Sequence, residues 1–571
     1  MDKTGVAHVL DQYASLLELT GENPFRVRAF RAAARTVAGL PGSLGTALES
    51  GSLAAARGIG PAILEMATQL HRTNRSEAFE ALRDQVPSGL IEMLAISGLG
   101  VTKVKRIHEH LAIDSVADLE AAAHDGRLAT VPGFGPKTCQ NILRGLGYLR
   151  RASSARLLHH AMREASDLQA ALERLPGVLR VIPAGDLRRR MEIVRDLVLV
   201  IVTDVPSVDL IRHLAQVPSV DEIDGRDERR ATLRFAGGAV VQVVVTPPVN
   251  LGAVLVQATG NRTHVAQLAA RAASQGFALH GAALWKGSAF VPTPDEATLY
   301  HALGLPEIPP ELREGMGELE WGDLPPLVEV SDLQGFLHCH TNYSDGSSTV
   351  EELARACAAA GYTYLGVTDH SSVAAFAGGL RIEDLERQWT EVDRVNDLVP
   401  SIRVLKGIEV DILPDGHLDY GAEVLKRFDF VIGSIHEDAG HNEAEMTARI
   451  LKALDNPYLT IIGHPTGRQL LSREAYPMDL AQIFDGAALR GVAMEINADP
   501  HRLDLDWRVL HQAKAAGVTI SIGADAHHVG GLENMNYGVS MARKAGLGPS
   551  DILNTRSVEA FLDYARMRRP S

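Results

Sequence analysis

Short apolar runs alternate with amphipathic segments over the C-terminal part of the chain, from about residue 335 onward. Each run ends at or near a side chain able to bind a metal ion. The runs cover residues 364–368, 404–408, 430–435, 459–463, 492–497 and 519–524. Segments of helical periodicity, such as Val350 to Ala360, separate them. This repeated strand–loop–helix unit predicts a parallel barrel whose strand C-termini converge on one face.

The N-terminal half shows other patterns. Residues 1–85 predict helices broken by Gly and Pro, over 6–19 and 24–40. Two apolar runs, 197–202 and 240–245, are typical of buried strands. The Pro- and acid-rich passage 305–330 predicts a linker, with Trp321 as a candidate docking residue.

Composition places the chain among ordinary globular proteins, with 46% hydrophobic and 22% charged residues. Its 571 residues exceed one core and suggest roughly three to four domains. The three scattered cysteines and the lack of an export signal or membrane-length apolar run favour a cytoplasmic protein without membrane contact. The net charge of -15 argues against wholesale electrostatic binding of nucleic acid but leaves room for a local basic footprint.

Candidate metal chemistry begins at His338-x-His340, because side chains two residues apart on a strand point to the same side. Asp345 adds an oxygen ligand just past the strand. By itself a His-x-His pair is weak, since surface and capping histidines are common. The following apolar runs lead to further candidate ligands at their C-terminal ends: His370, Glu409, His436, His464, Asp525 and His527.

In type and order, these nine residues resemble the ligand positions of the PHP (polymerase and histidinol phosphatase) family, over about residues 334–571. The resemblance implies a distorted seven-stranded barrel that holds up to three divalent metals, with Zn, Mn and Mg as alternatives. It implies that His338, His340, Glu409 and Asp525 hold one ion. Glu409 would bridge to a second ion with His436 and His464, and the third would bind Asp345, His370 and His527.

Two glycine-rich segments in the N-terminal region have the form apolar-x-Gly-apolar-Gly-x-x-Lys/Thr. They contain Gly98, Gly100 and Lys103, and then Gly133, Gly135 and Lys137; Gly58 and Gly60 form a shorter echo. Glycines permit a tight turn that leaves helix N-terminal N–H groups available to a phosphate oxygen. The segments resemble the helix-hairpin-helix motif, which implies sequence-independent contact with the DNA backbone. The arginines at 26, 28, 31 and 35 fit either a solvated helix face or phosphate contact.

Residues 184–198 resemble the palm motif of family X DNA polymerases, Gly-Ser-x-Arg-Arg-Gly-x-Glu-x-x-Gly-Asp-Ile-Asp. Four of its side chains, Arg188, Arg189, Glu192 and Asp196, are present. The resemblance assigns Arg188, Arg189 and Asp196 to nucleotide binding. The second motif carboxylate is replaced by Val198, and Gln242 stands where the third is expected. Two-metal phosphoryl transfer needs several anionic oxygens, so we expect the palm fold without its polymerase chemistry.

The whole chain therefore resembles a bacterial-type family X DNA polymerase with an appended PHP domain. The expected fold is multidomain α and α/β: helix-hairpin-helix N-terminal domains, a nucleotidyltransferase-like palm and thumb, and a distorted (βα)7 barrel. The expected domains are 1–88 (N-terminal helical), 89–153 (helix-hairpin-helix fingers), 154–248 (palm), 249–308 (thumb), 309–333 (linker) and 334–571 (PHP).

The resemblance implies a DNA repair protein of the base excision type, which binds gapped, nicked or 3'-end DNA. Its PHP site would hydrolyse phosphodiesters as a 3'-5' exonuclease, with cleavage at abasic sites as a further option. Arg468, after His464-Pro465, is a candidate phosphate clamp. The rival functions are a phosphatase for a small phosphate monoester such as histidinol phosphate, and a non-catalytic DNA-binding scaffold. The oligomeric state stays open.

Overall fold

The computed structural model describes residues 1–570 apart from 2, 41–43, 57, 84, 95, 97–98, 153–154, 218–219, 225–228, 236–239, 323, 325 and 438. The chain divides into two compact units, Met1–Ser154 with Leu471–Glu474 and His528–Gly530, and the remainder. Within the described ranges, no helix has both the length and the apolar content to cross a membrane. All three cysteines are buried free thiols.

The N-terminal unit is helical. Its helices are α1 (Lys3–Leu19), α2 (Pro24–Ala38), α3 (Leu44–Glu49), α4 (Ser52–Ala55), α5 (Pro61–Thr73), α6 (Glu77–Arg83), α7 (Ser88–Leu94), α8 (Val101–Leu111), α9 (Val116–His124) and α10 (Pro136–Ala152). The Asn23 side chain caps α2 by accepting a hydrogen bond from the N–H of Phe25, and Pro24 fits the first helical position. Tyr13 and Phe30 pack edge to face between α1 and α2, with ring centroids 4.7 Å apart. The two predicted N-terminal helices are present with slightly different ends.

A five-stranded mixed sheet forms the centre of the next region. Its elements are β1 (Arg156–Leu157), α11 (Leu158–Leu172), β2 (Val178–Ala184), α12 (Gly185–Arg188), β3 (Ile193–Val194), β4 (Leu197–Thr203), α13 (Ser207–His213), β5 (Val220–Asp224), β6 (Arg230–Phe235) and β7 (Val240–Thr246). The sheet order is β2-β4-β7-β6-β5, with β4 and β7 parallel and the other pairs antiparallel. Every residue of β4 is buried because both faces are covered, which explains its uninterrupted apolar run.

The following region combines helices with a small antiparallel sheet. It contains α14 (Leu251–Thr259), α15 (Arg262–Ser274), β8 (Phe277–His280), β9 (Ala283–Lys286), β10 (Ala289–Val291) and α16 (Glu296–Ala302). The passage predicted as a linker is well packed over part of its length. Arg313 is fully buried there, and its Nη1 donates to Glu296 Oε1 at 2.5 Å. Trp321, the candidate docking residue, is 36% exposed.

An eight-segment parallel sheet wrapped by helices forms the C-terminal region. Its strands are β11 (Gly335–Cys339), β12 (Tyr364–Val367), β13 (Arg403–Lys406), β14 (Glu409–Asp411), β15 (Ile432–Ser434), β16 (Ile461–Ile462), β17 (Ala493–Asn497) and β18 (Ile520–Ala526). Its helices are α17 (Val350–Ala359), α18 (Ile382–Leu398), α19 (Ala422–Leu425), α20 (Glu443–Leu454), α21 (Leu480–Arg490), α22 (Trp507–Ala515), α23 (Met535–Lys544) and α24 (Val558–Arg566).

The ends of this sheet meet, so it closes into a barrel. Its order is β13-β12-β11-β18-β17-β16-β15-β14, and only Gly407 and Ile408 separate β13 from β14. The two end segments are therefore parts of one interrupted strand, which gives seven strands in all. The ring of Phe430 fills the interior so tightly that a Cβ on Gly366 or Gly407 would lie 2.5 Å from it. The predicted multidomain fold with a C-terminal barrel is confirmed.

Candidate functional site

The nine candidate ligands of the barrel lie together at the carboxyl ends of its strands. His338 and Asp525 belong to the strands β11 and β18, and Glu409 begins β14. The other six follow a strand directly or stand in the loop after it: His340, Asp345, His370, His436, His464 and His527. Because parallel strands all end on one face, residues almost 190 positions apart in sequence meet there.

Glu409 occupies the centre of the cluster. Its Oε1 lies 2.9 Å from His464 Nε2, 3.3 Å from His338 Nε2 and 3.5 Å from His436 Nε2. Its Oε2 lies 2.9 Å from His370 Nδ1 and 3.6 Å from His340 Nε2. One carboxylate thus contacts five imidazoles, the geometry of a residue able to bridge two ions.

The ligand atoms form four overlapping groups in which they lie within 4.8 Å of one another. The groups are His340–Asp345–His370–His527, His338–His464–Asp525, His338–His340–Glu409, and His370–Glu409–His436. The predicted third set of Asp345, His370 and His527 lies within the first group. That group also contains His340, and His464 lies near Asp525 as well as near Glu409. How the residues divide among ions stays a prediction.

Three of the nine residues have left-handed backbone conformations, with φ of 57° at His338, 26° at His464 and 48° at Asp525. Such conformations are costly for residues other than glycine and concentrate at functional sites. The predicted meeting of His338 and His340 at one site fits their common group with Glu409, although the reason differs. The register of β11 with its neighbours shifts between Phe336 and Cys339, so regular strand alternation does not orient this pair.

Two further carboxylates, Glu495 and Asp411, contact histidines of the cluster and orient them. Glu495 Oε1 lies 2.5 Å from His338 Nδ1, and its Oε2 accepts a hydrogen bond from the His464 N–H at 2.6 Å. Asp411 Oδ1 lies 3.0 Å from His436 Nδ1. Such partners fix the tautomer and rotation of a ligand ring. The sequence prediction missed both residues, although each carboxylate stands on a strand of the barrel.

The electrostatics of the cluster favour bound cations. Burial opposes charge on His370, but Glu409 and Asp345 outweigh it and raise the pKa of His370 to about 10. Glu409 and Asp411 likewise overcome burial and raise the pKa of His436 to about 9. At His340 burial dominates and lowers the pKa to about 3, which leaves a neutral imidazole. The carboxylates therefore stabilise positive charge at this face, and divalent ions would supply it.

Unpaired polar atoms support the same fit. Among the described residues, His338 Nε2, both ring nitrogens of His340 and Glu409 Oε2 are buried without a hydrogen bond. Buried polar atoms rarely lack a partner, and metal coordination would satisfy these four. Nitrogen and carboxylate oxygen donors suit Zn and Mn.

We expect removal of metal to destabilise the barrel, because the buried carboxylates and imidazoles would lose their shared partner. A chelator should lower the barrel's unfolding midpoint by about 10 °C, given the stabilisation of about 4 kcal/mol expected from saturating ligand. Calorimetry before and after dialysis against the chelator measures this, and adding back Zn or Mn should restore the midpoint. Identical midpoints for treated and untreated protein would contradict the assignment.

Comparison with known proteins covers almost the whole chain. Family models match residues 1–76 (helix-hairpin-helix domain), 90–147 (SAM-like helix-hairpin-helix tandem), 254–314 (DNA polymerase beta thumb) and 337–475 (PHP domain). The protein named DNA polymerase/3'-5' exonuclease PolX of Bacillus subtilis (strain 168) is 34% identical over 570 residues, which cover 98% of this chain and 99% of that protein. The chain belongs to the family X DNA polymerases with a C-terminal PHP domain.

Other relatives match less than half of this family X chain. A protein named probable phosphatase from Thermoanaerobacter sp. (strain X514) is 28% identical over 245 residues, 41% of this chain and 94% of that protein. Another from Syntrophotalea carbinolica is 27% identical over 247 residues, 40% of this chain and 95% of that protein.

The family X palm lacks the carboxylates that the motif calls for. Val198 and Gln242 are register partners on the parallel strands β4 and β7, as expected for two positions of one catalytic site. They border a pocket of about 310 Å³ that Arg230, Thr232 and Gln257 also line; none of the residues described around it is acidic. Asp196 is exposed just before β4. The register supports the motif alignment and leaves one carboxylate of three.

The nucleotide-binding role predicted for Arg188 and Arg189 is not supported by the structure. Arg188 donates to both carboxylate oxygens of Glu296, at 2.8 and 2.5 Å. Arg189 pairs with Asp186 at 2.7 Å and with Glu314 at 3.0 Å. Both guanidinium groups therefore stabilise the contact of the palm with the thumb region and have few donors left for a triphosphate.

Arg468 was the wrong choice for a phosphate clamp. It is buried, and its guanidinium donates to Asp506 Oδ2 at 2.5 Å, to the Arg502 carbonyl at 3.0 Å and to the Leu503 carbonyl. A different arginine reaches the metal-binding face: Arg502 Nε lies 3.6 Å from Asp525 Oδ2. Its side chain is 17% exposed, so a phosphate at this face could meet it.

We expect Arg502→Met to lower kcat/KM for phosphodiester hydrolysis about 10²-fold, the usual cost of losing one preorganised donor to a phosphate. Metal content, measured by atomic emission, should stay at the wild-type level. Arg468→Met should in addition lower the free energy of unfolding by about 3 kcal/mol, because it removes a buried guanidinium that pairs with Asp506 and donates to two carbonyl groups. If Arg502→Met keeps the wild-type kcat/KM, Arg502 does not bind the phosphate.

The glycine segments of the N-terminal unit adopt one repeated geometry. Gly58 and Gly133 have φ of 89° and 90°, a conformation that only glycine adopts readily. Gly60 and Gly100 directly precede α5 and α8 without a side-chain cap, and Gly135 directly precedes α10. A Cβ on Gly58, Gly60, Gly100 or Gly135 would meet no atom within 4 Å, so the backbone is accessible to a ligand there.

Some of the predicted DNA-binding residues lie outside the described residues. Gly98 lies outside the described residues, as does the side chain of Lys137. Lys103 stands in the first turn of α8, where its charge would add to the attraction of the helix N-terminus for phosphate. Of the arginines on α2, Arg31 pairs with Glu18 at 2.6 Å and Arg26 lies 3.6 Å from Glu22, which favours a solvated helix face.

Proposed function

We propose that this family X protein is a metal-dependent phosphodiesterase that removes nucleotides from DNA 3' ends at its PHP barrel. The single observation that carries the proposal is the ring of imidazoles and carboxylates around Glu409. The relative from Bacillus subtilis, similar along its full length, carries the name DNA polymerase/3'-5' exonuclease, which supports the same activity here.

We assign the metals to the residues predicted from the family. His338, His340, Glu409 and Asp525 would hold one divalent ion, Glu409 with His436 and His464 a second, and Asp345 with His370 and His527 a third. Bound ions would place positive charge next to the phosphate and would lower the pKa of the water that acts as the nucleophile. Zn and Mn are the preferred metals, with Mg as the alternative.

The side chains of this chain prepare the site before substrate arrives. Glu495 and Asp411 hold the rings of His338 and His436 in one rotation, so no reorganisation is needed during the reaction. Arg502 would orient the scissile phosphate from beside Asp525. Asp345 and His527 are the most exposed of the nine, at 34% and 38%, so they mark the side on which the phosphate enters.

DNA is the proposed substrate because the helix-hairpin-helix glycines have no use in a metabolite phosphatase. Their open N-terminal N–H groups suit the sugar-phosphate backbone of gapped, nicked or 3'-end DNA. Cleavage at abasic sites would use the same ions, and both activities fit a cytoplasmic role in base excision repair. We propose that the palm contributes DNA contact and no nucleotide addition, since Val198 and Gln242 replace two of its carboxylates.

A phosphatase is the second candidate, supported by the relatives named probable phosphatase, which match 41% and 40% of the chain. The deciding experiment offers the purified full chain, with Mn or Zn, a 3'-labelled and a 5'-labelled oligonucleotide beside a panel of sugar and amino-alcohol phosphates that includes histidinol phosphate. We expect stepwise shortening of the oligonucleotide from its 3' end. Turnover confined to the small phosphates would favour the phosphatase, and inertness toward every substrate would favour a DNA-binding scaffold.

A further inference from the structure

Glu192 is a palm-motif residue whose carboxylate points to the PHP barrel. It is 5% exposed. Its Oε1 accepts a hydrogen bond from Arg508 Nη1 at 2.6 Å, and its Oε2 accepts one from Trp507 Nε1 at 3.1 Å. Trp507 and Arg508 begin helix α22, directly after the loop that follows β17. The motif residue therefore contacts a part of the phosphoesterase barrel.

A chain of alternating charges continues from Glu192 into the barrel. Arg508 Nη1 also donates to both carboxylate oxygens of Asp506, at 2.8 and 3.0 Å. Asp506 Oδ2 in turn accepts from Arg468 Nη1 at 2.5 Å. Arg508 has a half-exposed side chain, whereas Asp506 and Arg468 are largely shielded, at 26% and 11%. The two inner members of the row, Arg508 and Asp506, thus have opposite charge on either side.

The row ends on residues 499–506, here called the rim loop. Arg468 donates to the carbonyl groups of Arg502 and Leu503 and so fixes the backbone of the rim loop. Asp504 accepts hydrogen bonds from the N–H and Oγ1 of Thr466, at 3.0 and 2.8 Å. Leu503 has a left-handed φ of 45°, a conformation that needs such support. These contacts together determine where the Arg502 side chain stands beside Asp525.

We propose that Glu192 is a positioning residue of the phosphoesterase: its charge holds Arg508, and through Asp506 and Arg468 it fixes the rim loop that presents Arg502 to the phosphate. The role rests on the proposed function of the barrel. A misplacement of about 1 Å can cost 10²-fold in rate, so a palm residue can control hydrolysis without touching the substrate. The former polymerase motif then serves the hydrolytic site.

The test compares Glu192→Gln with a matched control, Glu311→Gln. Gln keeps the size of Glu192 and removes its charge. Glu311 Oε1 pairs with Arg543 Nε on α23 at 2.9 Å, a similarly shielded contact with the barrel that lies outside the row to the rim loop. We expect kcat/KM for the oligonucleotide to fall about 10-fold in Glu192→Gln and to stay at the wild-type value in Glu311→Gln, with equal metal content. If kcat/KM falls equally in both variants, Glu192 only stabilises the contact of the palm with the barrel and does not position the rim loop.

A double-mutant cycle adds a readout that a purely structural contact would not change. If Glu192 acts through Arg502, Glu192→Gln should lower kcat/KM less than 2-fold in an Arg502→Met background. Independent sites would instead lose the full 10-fold again, because effects of uncoupled residues add. That additive result would overturn the proposal.

Amide hydrogen exchange tests the same coupling without any activity. Peptides that cover the rim loop should exchange about 10-fold faster in Glu192→Gln than in wild type or Glu311→Gln. Unchanged exchange would overturn the positioning role whatever the kinetics. A wild-type protein that hydrolyses neither the oligonucleotide nor p-nitrophenyl phosphate would instead overturn the proposed function, and exchange would still decide whether Glu192 holds the rim loop.

Discussion

Alanine at both His338 and Asp525 is expected to reduce phosphodiester hydrolysis by about 10³-fold or more, equivalent to roughly 4 kcal/mol of barrier. The double variant removes an imidazole and a carboxylate from the same end of the cluster, where His338 Nε2 lies 3.9 Å from Asp525 Oδ1. The ion between them would lose its site. Release of labelled nucleotides from an oligonucleotide, with metal content measured on the same sample, checks the loss.

Asp196→Asn is the matched control, because it removes a carboxylate from the palm motif and leaves the barrel unchanged. Its rate of nucleotide release should equal that of the wild type. Hydrolysis that survives in the double alanine variant but disappears in Asp196→Asn would move the nuclease into the palm and disprove the assignment to the barrel.

No nucleotide addition is expected on a gapped duplex with Mg or Mn, the second large effect. A polymerase site must hold two ions between carboxylates and the triphosphate, and one carboxylate of three cannot do so. Primer extension of a labelled gapped substrate by the His338→Ala, Asp525→Ala protein measures addition without competing degradation. An extended primer would show that the palm motif is misaligned.

The double variant Val198→Asp, Gln242→Asp tests the same alignment by restoring the two missing carboxylates. The two positions are register partners on β4 and β7, so the new carboxylates would lie next to each other. The one on β4 would follow Asp196 by two residues. A small gain of extension would support the alignment. Arg188 and Arg189 are engaged with Glu296 and Glu314, and this limits the gain we expect.

The sequence was sufficient to predict which residues of the barrel meet, because the end of each apolar run marks the end of a strand. It was not sufficient for the backbone at His338, Asp525 and His464, where left-handed conformations replace regular strand geometry. Local propensity does not encode these angles; tertiary packing imposes them.

Three arginines show what the sequence alone leaves out. Arg188 and Arg189 match motif positions and Arg468 follows a strand-end histidine, yet each pairs with a carboxylate distant in sequence, such as Glu296 or Asp506. A charged residue can be assigned to a ligand only once its internal partners are known. Arg502 and Glu495 were missed for the converse reason: Glu495 lies within β17 and Arg502 in the loop after it, and only the closed barrel brings them to the site.

In the closed barrel, β18 stands between β11 and β17. Asp525 and His527 therefore arrive with the last strand to be synthesised, and the ring cannot be complete before it. A chain that ended before residue 520 would keep the glycine segments proposed to bind DNA. It would lack Asp525 and His527, and with them the complete metal-binding cluster. We therefore expect phosphodiester hydrolysis only from molecules in which β18 has joined the barrel.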